Sequence, residues 1–170
     1  MVMRGLRTTV LVRALALAFL TVTASAQMFV PTGRDTLRGL PGVEVLVESL
    51  PPELERVGLT TVGLRTELEQ RLKAGGVLVF ANQKENPSPA KPYLYVHLNP
   101  IELPGQLQAV AVQVHVRQTL QSLVTNSQIV NAMTWDVHTV IAMRPSEVSV
   151  LKETVLEMVD RFVADWRSVH

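Results

Sequence analysis

The chain contains no cysteine. This absence excludes disulfides, thiolate metal sites and a cysteine nucleophile. It also excludes lipid attachment at the mature N-terminus of a bacterial lipoprotein, because that attachment requires a cysteine there. We therefore expect an ordinary hydrophobic core to stabilise the fold.

The N-terminal segment lacks an apolar run long enough to span a membrane. The stretch Ala14 to Val22 covers nine residues, whereas a transmembrane helix needs about 20. Around it lie the other two parts of a secretory signal, namely Arg4, Arg7 and Arg13 before it and Ala24-Ser25-Ala26 after it. This order predicts a signal peptide over residues 1–26 that is cleaved before Gln27, leaving no membrane span. The mature protein is then periplasmic or secreted.

The chain has no large excess of either positive or negative charge. The chain has 16 basic and 15 acidic residues. Removal of the signal takes three of the 16 basic residues and no acidic one, which leaves 13 minus 15, or −2, with the histidines neutral. No cluster of lysines and arginines remains, so neither a nucleic acid nor an anionic membrane is an expected partner.

Motifs of the common catalytic folds are also missing. The Gly-x-Ser-x-Gly elbow, the phosphate-binding loop and the dinucleotide fingerprint do not occur. Glu53 and Glu55 form a pair of carboxylates, but we expect them in a solvated turn. We predict a non-enzymatic binding or assembly module without a cofactor, which acts through a protein partner or self-association.

Hydrophobic periodicity divides the mature chain into an extended lead-in, residues 27–42, and one domain, residues 43–170. Apolar alternation predicts strands, and three- and four-residue apolar spacing predicts helices. The predicted strands are Val43 to Leu50, Val77 to Phe80, Tyr93 to Asn99, Ala109 to Thr119 and Asn131 to Ile141. The predicted helices are Thr60 to Lys73 and a long helix that follows Pro145.

Clean alternation along three strands indicates that only one face of the sheet is covered. The prediction is an α+β two-layer sandwich with the element order β-α-β-β-β-β-α. Its mixed, mostly antiparallel sheet of five strands carries both helices on one face. Trp135 and Trp166 fall on the predicted core faces.

This order of elements resembles that of bacterial envelope domains. The residues that carry the resemblance are Tyr93-Leu94-Tyr95-Val96, the valine strand 110–116 and Ala132-Met133-Thr134-Trp135. The chain is similar over residues 43–168 to the N-terminal domain of the translocation protein TolB and to curli-secretion lipoproteins. The resemblance implies a recognition or assembly role in the bacterial cell envelope. The chain departs from those families in lacking the lipobox cysteine and a following propeller.

Histidines offer one candidate site. By the alternation, His97, His115 and His138 lie on three consecutive strands and point to the uncovered face. Antiparallel pairing around Thr125 and Asn126 would place His115 opposite Asp136 or His138. Imidazole and carboxylate together suit a divalent transition metal such as zinc, copper or nickel, which gives the alternative function of a metal-binding protein. A polar surface without a ligand and a pH-responsive binding face are the other interpretations.

The same uncovered face is predicted to carry three larger side chains, Leu46, Tyr93 and Tyr95. Tyrosine combines an apolar ring with a polar tip and is common at interfaces. These residues therefore form a candidate interface for a partner or for a second copy of the chain.

Overall fold

The computed structural model describes residues 33–170. The predicted signal peptide, residues 1–26, and residues 27–32 of the lead-in lie outside the described residues. The helices and strands, in chain order, are β1 (Val43–Val47), α1 (Pro52–Arg56), α2 (Thr61–Ala74), β2 (Val79–Phe80), β3 (Tyr93–Leu103), β4 (Leu107–Gln121), β5 (Gln128–Met143) and α3 (Val148–Arg167).

The strands form a single sheet in the order β2-β1-β3-β4-β5. Strand β1 runs parallel to β2 and to β3, whereas β3, β4 and β5 pair antiparallel. The parallel pair β1 and β2 is connected through α2, as a crossover connection requires. The predicted α+β fold with a mixed five-stranded sheet is confirmed.

Helices α2 and α3 cover one face of the sheet and bury its valines. Thr60 caps α2 by accepting a hydrogen bond from the backbone N–H of Gly63 at 3.1 Å. The apolar stripe of α3 includes Phe162 and Trp166, both buried, and Phe162 packs edge-on against the buried Trp135 of β5. The predicted core positions of both tryptophans are confirmed.

Close approach of the two helices depends on a glycine at the end of α2. A Cβ atom at Gly75 would lie 2.6 Å from a methyl group of Val163. A few residues earlier, the Arg71 guanidinium donates to both carboxylate oxygens of Asp160 on α3, with Nε 2.6 Å from Oδ1. A small residue and an ion pair thus hold the helix layer together.

The described part of the lead-in belongs to the domain. Residues Arg34–Leu37 form a 3-10 turn that buries Leu37 completely. Thr36 Oγ1 donates to the backbone oxygen of Thr134 at 3.0 Å, and the Gln118 side chain donates to the backbone oxygen of Thr36 at 3.3 Å. The turn therefore packs against β4 and β5.

The bounds of every strand differ somewhat from the sequence prediction, and two differences alter the predicted elements. The segment after Pro51, predicted as a solvated turn, is the short helix α1, which buries Leu54 while its glutamates stay outside the core. Strand β3 continues past Asn99 through Pro100, where a loop was predicted. Pro100 is tolerated because β1 ends at Val47, so this edge of β3 no longer has a strand partner.

Candidate functional site: the open face of the sheet

The face of the sheet opposite α2 and α3, called the open face below, is not covered by any helix in residues 33–170. The register places Tyr95, His115 and Asp136 in one row across β3, β4 and β5. The next row contains His97, Gln113 and His138. All the histidines and the aspartate of the predicted site therefore lie on this face.

A carboxylate from β1's end organises the first group of side chains. Glu48 accepts a hydrogen bond from the hydroxyl of Tyr95. His97 Nδ1 lies 2.6 Å from Glu48 Oε2. The hydrogen bond from Tyr95 is the main reason that the pKa of Glu48 is lowered.

Tyr95 is held as a neutral phenol. Burial, followed by the neighbouring carboxylate of Glu48, raises the pKa of Tyr95 to about 12. Its ring stacks on His115 with ring centroids 5.1 Å apart, and the guanidinium carbon of Arg117 lies 5.3 Å from the ring centroid. This stacking restricts the tyrosine to one orientation.

His115 is a neutral hydrogen-bond acceptor. Its side chain is only 4% exposed, and its Nε2 accepts a hydrogen bond from Arg117 Nε at 2.9 Å. A neutral imidazole that accepts at Nε2 carries its proton on Nδ1. Burial, and next the positive charge of Arg117, lowers the pKa of His115 to about 4. His115 is therefore uncharged at neutral pH.

The predicted metal ligands are divided among separate contacts. His97 contacts Glu48, His115 accepts from Arg117, and His138 Nδ1 lies 3.3 Å from Asp136 Oδ2. Within the part of the chain that the structure describes, no group of three or more His, Asp and Glu side chains is arranged to hold a metal ion. The arginine also occupies the His115 lone pair and places a positive charge where a cation would bind.

The predicted interface residues differ in accessibility. Leu46 is 38% exposed and Tyr95 is partly exposed, so both can meet a partner. Tyr93 is only 9% exposed, and its hydroxyl donates to Asn131 Oδ1 at 3.3 Å. Tyr93 therefore links β3 to β5 through this hydrogen bond and exposes little surface to a partner.

Farther along the same strands the open face becomes apolar. Val140 is 68% exposed and Ile101 is 60% exposed, and Leu103 at the end of β3 is 39% exposed. Beside them lie the methyl groups of Ala109, Ala111 and Ala142 and one polar side chain, that of Asn99. We call this second group the apolar end of the open face. The polar end is the group described before it, namely Glu48, Tyr95, His97, His115 and Arg117.

Sequence reasoning missed Glu48, Arg117 and the apolar end. The signal for Arg117 was present, because it follows His115 by two residues and so lies on the same face of a strand. The apolar end was missed because β3 was predicted to stop at Asn99, before Ile101 and Leu103. The longer strand brings both residues onto the face.

The polar end has no arrangement suited to nucleophilic catalysis. The Tyr95 hydroxyl already donates to Glu48, and its high pKa keeps it from forming a phenolate at neutral pH. The accepting nitrogen of His115 is occupied by a donor, so it does not act as a base toward a hydroxyl group. The arrangement instead presents a fixed pattern of aromatic rings, a guanidinium and a carboxylate.

No protein-family model and no curated protein matches the chain. Among the solved structures that are similar to it are a candidate lipoprotein of Caulobacter crescentus, with a TM-score of 0.33, 14% identity and coverage of 81% of this chain and 94% of that one, and a minor lipoprotein of Acinetobacter baumannii, with a TM-score of 0.29, 14% identity and coverage of 78% of this chain and 92% of that one. Values this low do not establish a shared function. The resemblance to TolB and to curli-secretion lipoproteins is not confirmed by these comparisons.

Among residues 33–170, no helix combines the length and the apolar composition needed to cross a bilayer.

Proposed function

We propose that this chain is an exported, non-enzymatic binding module of the bacterial cell envelope that docks a protein partner on the open face. The observation that carries the proposal is the apolar end of that face. Ile101 and Val140 are more than half exposed there, and alanine side chains lie next to them on the same face. Uncovered apolar surface of this kind on a folded domain is typical of an interaction site.

The polar end supports the same proposal by being preformed. Tyr95, His115 and Arg117 are held by stacking and hydrogen bonds among themselves. Side chains that are already ordered lose little further conformational freedom when a partner binds. Tyrosine and arginine are also the residue types most enriched at interface centres. The polar end would set the orientation of the partner, and the apolar end would supply most of the buried apolar area.

Export is the second part of the proposal, and it rests on the signal-peptide pattern of residues 1–26. Intact-mass measurement of the protein purified from the periplasm or medium of a bacterial host tests it. We expect a chain that begins at Gln27. A chain that keeps residues 1–26 and remains in the cytoplasm would contradict export but would leave the open-face site to be tested separately.

Site-specific photo-cross-linking in the native host tests the binding face. A photoreactive amino acid at Val140 on the open face is compared with one at Val150, which is 53% exposed on α3. We expect one defined protein adduct at Val140 and none at Val150. The added substitution Ile101→Glu, which places a charge within the same apolar end as Val140, should abolish that adduct without unfolding the domain.

Three results would contradict or refine the proposal. Equal adducts at Val140 and Val150 would mean that the open face has no special affinity. An adduct that survives Ile101→Glu would place the contact elsewhere. A product with twice the mass of the chain would identify the partner as a second copy, and sedimentation velocity would then give the strength of the dimer.

A further inference from the structure

The β4–β5 hairpin projects beyond the rest of the sheet. Strand β3 begins at Tyr93, which lies opposite Arg117, so β4 after Arg117 has only β5 as a strand partner. The hairpin ends in a turn over residues 122–127. We call the part of the hairpin from Gln118 to Met133 the hairpin tip.

The hairpin tip carries no charge and is rich in exposed aliphatic side chains. From Gln118 through Trp135 there is no Asp, Glu, Lys, Arg or His. Leu123 is 99% exposed and Val124 is 94% exposed, so neither rests on the protein. The exposed apolar residues of the tip are Leu120, Leu123, Val124, Ile129, Val130 and Met133.

These side chains occupy both faces of the hairpin as well as its end. Leu120 lies opposite Ile129 and continues the alternation of the buried Val116, which places the pair on the helix side. Met133 lies opposite Arg117 on the side of the open face. A protein surface would cover one of these faces and leave the other in water. A lipid bilayer surrounds an inserted tip on all sides.

Several polar groups of the turn are paired within the turn. The backbone N–H of Ser122 donates to the oxygen of Ser127 at 2.8 Å, and the N–H of Asn126 donates to the oxygen of Ser122 at 3.0 Å. The hydroxyls of Thr125 and Ser127 lie 2.6 Å apart, and the Gln121 amide donates to Asn126. Internal pairing lowers the cost of moving these groups out of water.

From these observations we infer that the hairpin tip inserts into the surface of a lipid bilayer, with Leu123 and Val124 entering the boundary between headgroups and acyl chains. The absence of charge along the tip matches an uncharged lipid interface. Binding therefore depends on aliphatic burial rather than on anionic lipid. This inference does not rest on the apolar end of the open face, because the tip shares no residue with it.

Flotation of the mature protein, residues 27–170, with phosphatidylcholine vesicles tests the inference. The variant Leu123→Ser/Val124→Ser should bind the vesicles about tenfold more weakly or worse, since two aliphatic side chains no longer enter the lipid. The matched control is Val62→Ser/Val150→Ser, which removes exposed aliphatic side chains from α2 and α3. It should bind as the unmodified protein does.

Substitution Leu123→Trp gives a second readout that does not depend on affinity. The emission of a tryptophan at this position should shift to shorter wavelength when vesicles are added, and brominated lipid should quench it. Vesicles that contain phosphatidylglycerol should bind with the same affinity as phosphatidylcholine vesicles, and added salt should not weaken the binding.

Several outcomes would overturn the inference. Unmodified protein that fails to float, or a tip variant that floats as well as the control, would exclude insertion. A salt-sensitive preference for phosphatidylglycerol would mean that charge, not the tip, drives binding. If the tip substitutions instead abolish a dimer seen by sedimentation, the tip binds a second copy of the chain. None of these results would affect the open-face proposal.

Discussion

The two faces of strand β4 differ in composition and in what they contact. On the helix side, Val110, Val112, Val114 and Val116 are completely buried. On the open side, the intervening residues change along the strand from alanines to Gln113, His115 and Arg117. The helix side is uniform because every position meets the same apolar layer. The open side varies because no layer selects for apolar residues there, so its composition reports on something other than folding.

His115 shows this difference most clearly. It is as buried as several core residues, with 4% exposure, although it lies on the open side. The helices do not cover it. Tyr95 stacks on its ring, and Arg117 donates a hydrogen bond to it. Substitutions on the covered face should therefore lower the free energy of unfolding more than substitutions on the open face.

The largest effect is expected from Trp135→Ala on the covered face. Trp135 is fully buried, packs on Phe162 and donates from Nε1 to Asp165 Oδ2 at 2.9 Å. Its removal should lower the free energy of unfolding by about 4 kcal/mol. Val140→Ala on the opposite side of the same strand is the control and should change it by less than about 0.5 kcal/mol. Urea titration followed by circular dichroism measures both, and similar losses would erase the distinction between the faces.

The next effect is a pH dependence that originates in His115. Its pKa of about 4 in the folded protein lies below the ordinary value of 6.5, so the unfolded chain binds more protons between these values. Stability is then highest above pH 6.5 and falls as the pH is lowered toward 4, by on the order of 2 kcal/mol. The pKa values of Glu48 and Asp160 are also lowered, so these carboxylates add to the loss of stability only when the pH falls below their ordinary pKa values of 4.5 and 3.8.

Substitution His115→Gln tests this origin. Glutamine keeps an oxygen that can accept from Arg117 but does not titrate. The variant should lose most of the change in unfolding free energy between pH 6.5 and pH 5, as measured by urea titration at each pH. A variant with the same slope as the unmodified protein would assign the pH dependence to another group.

A smaller effect is expected from the hydrogen bond between Tyr95 and Glu48. Tyr95→Phe keeps the ring stacked on His115 but removes the donor, and should lower the free energy of unfolding by about 1 kcal/mol at pH 7. A double-mutant cycle with Glu48→Gln isolates the pair. If the two substitutions are additive, the contact contributes nothing to the preformed polar end.

Sequence periodicity was sufficient for the covered face. The alternation of Val110 to Val116 and the leucine spacing of α2 depend on burial against one layer, which is a local pattern. Pairing around residues 125 and 126 left Asp136 and His138 as possible partners of His115, and the observed partner is Asp136. These predictions succeeded because each depends on neighbours in sequence.

Contacts on the open face were harder to predict because they join distant segments. Glu48 reaches Tyr95 and His97 only because β1 lies beside β3, and the alternation within β1 gives no sign of that order. The role of Arg117 as a donor to His115 depends on side-chain orientation rather than on register. Helix α1 was missed because a five-residue helix has too few turns to show periodicity.

The smallest effect is expected from metal ions, and it tests the alternative function. His97, His115 and His138 each contact a different partner, and Arg117 would repel a cation at the centre of the group. We expect zinc, copper and nickel to change the melting temperature equally in the unmodified protein and in His115→Ala/His138→Ala, relative to metal-free samples of each. A metal-dependent stabilisation that disappears in the double variant would show that the side chains rearrange around an ion. Metal binding would then replace partner docking as the preferred function of the open face.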